Sequence, residues 1–124
     1  MKKHPVVEAL QKAAKGLLFP SESEAKLEPF LWKDGGDKLT DAHLLELSGA
    51  EEDTPVAEET LDSFFRVVPK EDRPKFDKLA QTLQAQLSDV KVYKVGAEAE
   101  KEVYIVGKTA DGQWAGLKTS VVET

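Results

Sequence analysis

Hard oxygen donors gather at two points far apart in this chain: Ser21-Glu22-Ser23-Glu24 near its start and Glu123-Thr124 at its last residues. At the C-terminal pair, carboxylate and hydroxyl oxygens of this kind suit Mg²⁺ or a water bound to it. The first tetrad has two compatible readings. Ser21 and Glu24 fit an S-x-x-E capping box, in which the glutamate turns back to the backbone at the start of a short helix. Glu22 then sits in the first turn, facing solvent and free to meet a partner. The second cluster also divides two ways. A strand ending at Val121-Val122 leaves Glu123 and Thr124 just beyond a sheet, where a terminal threonine offers a carboxylate beside its hydroxyl. The alternative is a frayed tail, the common state of chain ends.

No other constellation marks a catalytic centre. His4 and His43 fall in different expected elements with no second ligand beside either, which points to surface or capping roles rather than a metal site. The chain has no cysteine, which removes disulfides, thiolate catalysis and cysteine-ligated zinc together and fits a reducing compartment. Neither a G-x-S-x-G elbow nor a G-x-x-x-x-G-K-[ST] loop is present. Gly35-Gly36-Asp37-Lys38-Leu39-Thr40 imitates the latter only superficially, since its spacing differs and no strand leads into it. Gly96 and Gly107 make no dinucleotide fingerprint. Carboxylates are plentiful, but their spacing singles out no acid–base pair. The expectation is a protein that is not an enzyme and takes no cofactor.

Charge and length narrow the class further. A chain of 124 residues suits one domain with one core. Its net charge of −6 keeps it soluble and argues against direct nucleic-acid binding, which needs a basic face to displace counterions. An acidic surface suits a basic partner. Lys2-Lys3 is followed by Glu8, Gln11, Lys12 and Lys15, which interrupt the apolar run an export signal requires, and no apolar stretch approaches membrane-spanning length. A cytoplasmic protein without membrane association is expected.

These residues must be positioned by elements whose periodicity is readable. Val6, Leu10, Ala13, Ala14, Leu17 and Leu18 fall at three- and four-residue steps, with Glu8, Gln11, Lys12 and Lys15 opposite, and predict an amphipathic helix over residues 5–18. Residues 27–33 are short, aromatic and apolar, and Pro29 assigns them to an edge or a strand start. Asp34-Gly35-Gly36-Asp37 is a turn. Thr40 caps a second helix carrying Ala42, Leu44, Leu45 and Leu47 and stopped by Gly49, and Glu51-Glu52-Asp53 is a solvated loop. A helical turn around Leu61, Phe64, Phe65 and Val68 takes Thr60 or Asp62 as cap. Phe76, Leu79, Ala80, Leu83 and Leu87 form the stripe of the clearest helix, residues 74–87, which Asp72 announces. Strands are predicted over 91–95, 102–108 and 113–122, the last two joined at Asp111-Gly112. Val103-Tyr104-Ile105-Val106 is apolar without alternation, so this strand is buried on both faces. The fold class is therefore α+β: an α-β-α sandwich with a mostly antiparallel central sheet covered by helices on both faces.

Taken in order, these pieces resemble the nuclease A inhibitor family. The resemblance spans nearly the whole chain, through Gly16-Leu17-Leu18-Phe19, Ser21-Glu22-Ser23-Glu24, Phe30-Leu31-Trp32, Asp62-Ser63-Phe64-Phe65, Val92-Tyr93-Lys94-Val95-Gly96, Val103-Tyr104-Ile105-Val106-Gly107 and the closing Val121-Val122-Glu123-Thr124. It implies a monomeric inhibitor of a Mg²⁺-dependent, sugar-non-specific nuclease. In the family a loop glutamate and the last threonine approach the nuclease's metal; their matches here are Glu22 and Thr124. Glu24 and Glu123 stand beside them as further acidic groups that imitate a nucleic-acid backbone. One segment departs from the family pattern, whose prototype carries a longer acidic stretch with a tryptophan before the long helix. Here the connection is Val67-Val68-Pro69-Lys70-Glu71-Asp72-Arg73-Pro74, with Asp72 as its candidate partner contact. That departure leaves open a second function, a divergent protein-interaction module of the same fold without nuclease inhibition. Trp32 is expected to pack in the sheet. Trp114, just after the hairpin, is expected to be half-exposed, either packed or available to a partner.

Overall fold

The computed structural model describes residues 5–15, 17–19, 25–32, 44–45, 49, 54–66, 68–96, 99–110 and 112–122. Ten elements follow one another: α1 (Pro5–Ala14), β1 (Leu18–Phe19), β2 (Ala25–Lys26), β3 (Glu28–Trp32), β4 (Val56–Glu59), α2 (Leu61–Phe65), α3 (Arg73–Gln86), β5 (Ser88–Val95), β6 (Glu100–Lys108) and β7 (Trp114–Val122). Five strands form an antiparallel sheet in the order β3-β7-β6-β5-β4, and β1 and β2 form a separate antiparallel pair. The class is α+β.

Side-chain alternation splits the sheet's burial between two clusters. On the first face Val92, Val103, Ile105 and Leu117 are fully covered by α1, α2 and α3. Phe76 anchors this side, 2% exposed, with its ring edge-on to Phe65 at 5.3 Å. On the second face Tyr93, Tyr104, Val106 and Trp114 gather with Leu44 and Leu45, and Phe30 and Trp32 pack against them. The unbroken apolar run of β6 is thus buried on both sides, as its sequence predicts: Val103 and Ile105 serve one cluster, Tyr104 and Val106 the other. Among the described residues, Leu44 and Leu45 are the helical residues over the second face, so a helical layer on both faces stays an expectation. The predicted Thr40 cap, Ala42, Leu47 and the 34–37 and 51–53 loops lie outside the described residues, as do His4 and His43.

Several boundaries move for identifiable reasons. α1 ends at Ala14, not Leu18: the Leu17 N–H donates to the Ala14 carbonyl at 3.0 Å, and Leu18-Phe19 are drawn into pairing with Lys26 and Ala25. β5 begins at Ser88, earlier than predicted, because a register shift between Ser88 and Lys91, with Asp89 at φ 52°, breaks the alternation that would have revealed it. β4 has no counterpart in the sequence reading. Val-Ala-Glu-Glu carries no apolar pattern; it is an edge strand braced by the ion pairs Lys91–Glu58 (3.1 Å) and Lys94–Glu59 (3.2 Å). Two other expectations hold. Pro29 does sit on an edge strand, β3, and Thr60 does cap α2, its Oγ1 accepting from the Ser63 N–H at 3.1 Å.

At the sheet's centre, Gly116 is dictated by space. It pairs with Val106 on one side and Phe30 on the other, and a Cβ there would collide with the Ile105 carbonyl oxygen. No helix among the described residues is long and apolar enough to cross a membrane.

Candidate partner-binding site

The sheet's register decides what surrounds the two oxygen-rich ends of the chain. β3 runs antiparallel to β7 with Glu28 opposite Lys118, and β2, immediately before it, packs against β7 as well. On the other side of β7, Tyr104 faces Lys118, Glu102 faces Ser120 and Glu100 faces Val122. Glu22, Glu24, Glu123 and Thr124 lie outside the described residues. The strands from which they continue are neighbours: Ala25 opens β2, and Val122 closes β7.

Beside these strand ends the second face opens into a groove of about 660 Å³, lined by Lys26, Glu28, Glu100, Glu102, Lys118 and Ser120 among others. Its charges are organised around one side chain. Glu102 accepts a hydrogen bond from the Tyr104 hydroxyl at 2.9 Å through Oε2 and meets Lys118 Nζ at 3.7 Å through Oε1. Lys118 Nζ in turn stands 5.7 Å from the centre of the Tyr104 ring, within cation–π range. Glu102 is therefore held in place yet half-exposed, while Glu28 and Glu100 project freely into solvent. Such a surface sets the carboxylates of Glu28, Glu100 and Glu102 among the ammonium groups of Lys26, Lys101 and Lys118, and suits a charged partner rather than an apolar ligand. These groove residues escaped the sequence reading. A trace of them was there, in the Glu100-x-Glu102 alternation that places both carboxylates on one face of β6.

Two predicted contact residues are described. Asp72 is half-buried at the N-cap of α3, with its backbone at φ −96°, ψ −8° and no side-chain capping hydrogen bond. The helix starts where the sequence announces it, but through backbone turns: the Asp72 carbonyl accepts from Lys75 and Phe76, and the Asp72 N–H donates to Pro69. The short connection before α3 is closed by Arg73, whose guanidinium donates to the Arg66 carbonyl at 3.5 Å. The start of α3 lies beside the end of α1, since Lys75 and Leu17 line one groove, and so on the side where β1 begins.

Trp114 corrects an expectation. It is 7% exposed rather than half-exposed, because it is already the first residue of the β7 ladder, paired with Lys108 on one side and Trp32 on the other. The loop between β6 and β7 runs over residues 109–113, so the chain has re-entered the sheet by Trp114. The Thr109 N–H donates to the Gln113 carbonyl at 2.7 Å, and Gly112 takes φ 84°. Trp32 packs as predicted, half-buried with its ring 4.5 Å from that of Phe30 and 5.5 Å from that of Tyr104.

A sequence model of the family described as nuclease A inhibitor-like protein matches residues 4–124, nearly the whole chain. No curated protein matches it significantly.

Proposed function

Because the chain belongs to the nuclease A inhibitor-like family, we propose that it inhibits a Mg²⁺-dependent, sugar-non-specific nuclease by occupying the enzyme's active site. Family membership over residues 4–124 is the observation that carries this reading. The adjacency of β2 and β7 supports it, because these strands lead to the Glu22 loop on one side and to Thr124 on the other. In this mechanism the protein does no chemistry. Glu22 and Thr124 offer oxygens where substrate phosphate oxygens otherwise meet the nuclease's Mg²⁺. Glu24 and Glu123, with the groove carboxylates Glu28, Glu100 and Glu102, extend the imitation of a phosphate backbone and hasten encounter with a basic cleft. Asp72 adds a peripheral contact, and Trp114 acts from beneath the surface by holding the end of the sheet. The protein works as a cytoplasmic monomer that pairs with its target, and its fold is completed to an α-β-α sandwich by a helix through Leu44 and Leu45.

Titration into a Mg²⁺-dependent nuclease assay, with free Mg²⁺ in excess, tests the reading; stoichiometric loss of activity is expected. Glu22→Ala and removal of Thr124 are each expected to weaken inhibition by on the order of tenfold or more while leaving the urea unfolding midpoint unchanged. Full inhibition by both variants would sink the metal-bridging mechanism. The compact connection before α3, with Lys70 and Arg73 in it, favours a second reading: an interaction module of the same fold that has left nucleases behind. Its signature would be an intact fold with no effect on any sugar-non-specific nuclease.

A further inference from the structure

Among the described residues the acidic chain carries a basic surface between α1 and α3. Lys12 and Lys15, at the end of α1, and Lys75 and Lys78, in the first half of α3, line one groove of about 530 Å³. Among the described residues no carboxylate lines it, and none of the four ammonium groups has an ion-pair partner. Helix stability explains only part of this gathering: Lys12 stands in the last turn of α1, where the helix dipole favours a cation, but the α3 lysines have no such support. The first turn of α3 holds no acidic residue, so Arg73 and Lys75 stand at the positive end of the helix dipole, where cations are disfavoured. Four like charges around one depression also repel each other until an anion enters. The depression is not purely polar: Leu79 forms its base and Leu17 is half-buried at its side.

We propose that this groove docks an acidic segment of a partner polypeptide, one that carries leucine-like apolar side chains between its carboxylates. Carboxylates would meet the four lysines, and an apolar side chain would cover the half-buried Leu17 above the floor that Leu79 already closes. A nucleic acid fits less well. Its charge continues past the ends of so short a groove, onto the surface of a chain of net charge −6. The groove does not depend on the nuclease reading, since none of its residues belongs to the proposed inhibitory end.

Fluorescence anisotropy of a labelled peptide alternating Glu and Leu, titrated with the full chain, tests the proposal. Binding that weakens with salt is expected, with amide NMR shifts at Ala13 and Leu79. The double variant Lys75→Glu, Lys78→Glu is expected to lose about tenfold or more in affinity, whereas Lys91→Gln, outside the groove, leaves it unchanged. A Gln–Leu peptide is expected not to bind. Three results would overturn the proposal: no binding of the acidic peptide, equal losses in the two variants, or tighter binding of oligothymidylate at the same lysines, which would assign the groove to nucleic acid.

Discussion

The two faces of the sheet are closed by different chemistry. The first is sealed by three helices with aliphatic residues and phenylalanines, and holds Leu10, Phe76, Leu79 and Leu83 at 2% exposure or less. The second is packed by the rings of Phe30, Trp32, Tyr93, Tyr104 and Trp114, and toward the ends of β6 and β7 it passes into charged, open surface around Glu28, Glu102 and Lys118. Apolar burial is the dominant stabilising term, and among the described residues the larger buried apolar cluster lies on the first face. The second holds one carboxylate, Glu102, in place through Tyr104 and Lys118.

The sharpest way to break this comparison is to open the first face. Phe76→Ala removes its largest fully buried side chain and the edge-on contact with Phe65, and is expected to cost about 3–5 kcal/mol in urea unfolding. Trp32→Ala is the matching cut on the second face. Trp32 is half-buried on an edge strand, so its loss is expected at about 2 kcal/mol, well below the fully buried range. It should also disturb Glu102 through the Tyr104 ring, 5.5 Å away. Equal destabilisation by the two substitutions would mean that both faces share the load.

The contrast between the faces also explains what was legible beforehand. The first face speaks in period: the α3 stripe of Phe76, Leu79 and Leu83 and the unbroken run of β6 follow from apolar spacing. The edge position of β3 followed from one proline. β4 could not be read, because Val-Ala-Glu-Glu is held by ion pairs to β5 that form only once the strands are adjacent. The bulge at Asp89 masked the start of β5 in the same way. At the candidate site, the family resemblance pointed to the ends of the chain. The groove beside β2 and β7 is a product of register, which brings Glu28 opposite Lys118 across ninety positions of sequence. Trp114 was misjudged because nearness to a turn was taken for exposure, although its cross-strand partners lie inside the sheet.

A smaller effect, of opposite sign, tests whether the first face tolerates polarity. Thr119 is 4% exposed, and its Oγ1 has no hydrogen-bond partner among the described residues. It stands opposite Val103, in line with Leu117 and Val121. A buried hydroxyl left unpaired is a liability, so Thr119→Val is expected to be neutral or to stabilise by up to about 1 kcal/mol. A clear loss of stability would show that the hydroxyl is satisfied in solution, and that this face is wetter than its packing implies.

The smallest effect lies at the edge where the faces meet solvent. Lys91 Nζ sits 3.1 Å from Glu58 Oε1, with both side chains about half-exposed, and the hydrogen bond to Glu58, reinforced by its charge, raises the lysine above its ordinary pKa of 10.5. A raised lysine contributes stability that is fully present below 10.5 and is lost as pH climbs through the higher folded value. Lys91→Gln should therefore unfold at slightly lower urea near neutrality, by an amount that salt diminishes, and the gap to the parent should close well above pH 10.5. A gap that widened with rising pH would have the wrong sign for an ion pair. It would mean instead that the aliphatic stem of Lys91, lying along β5, is what secures β4 to the sheet.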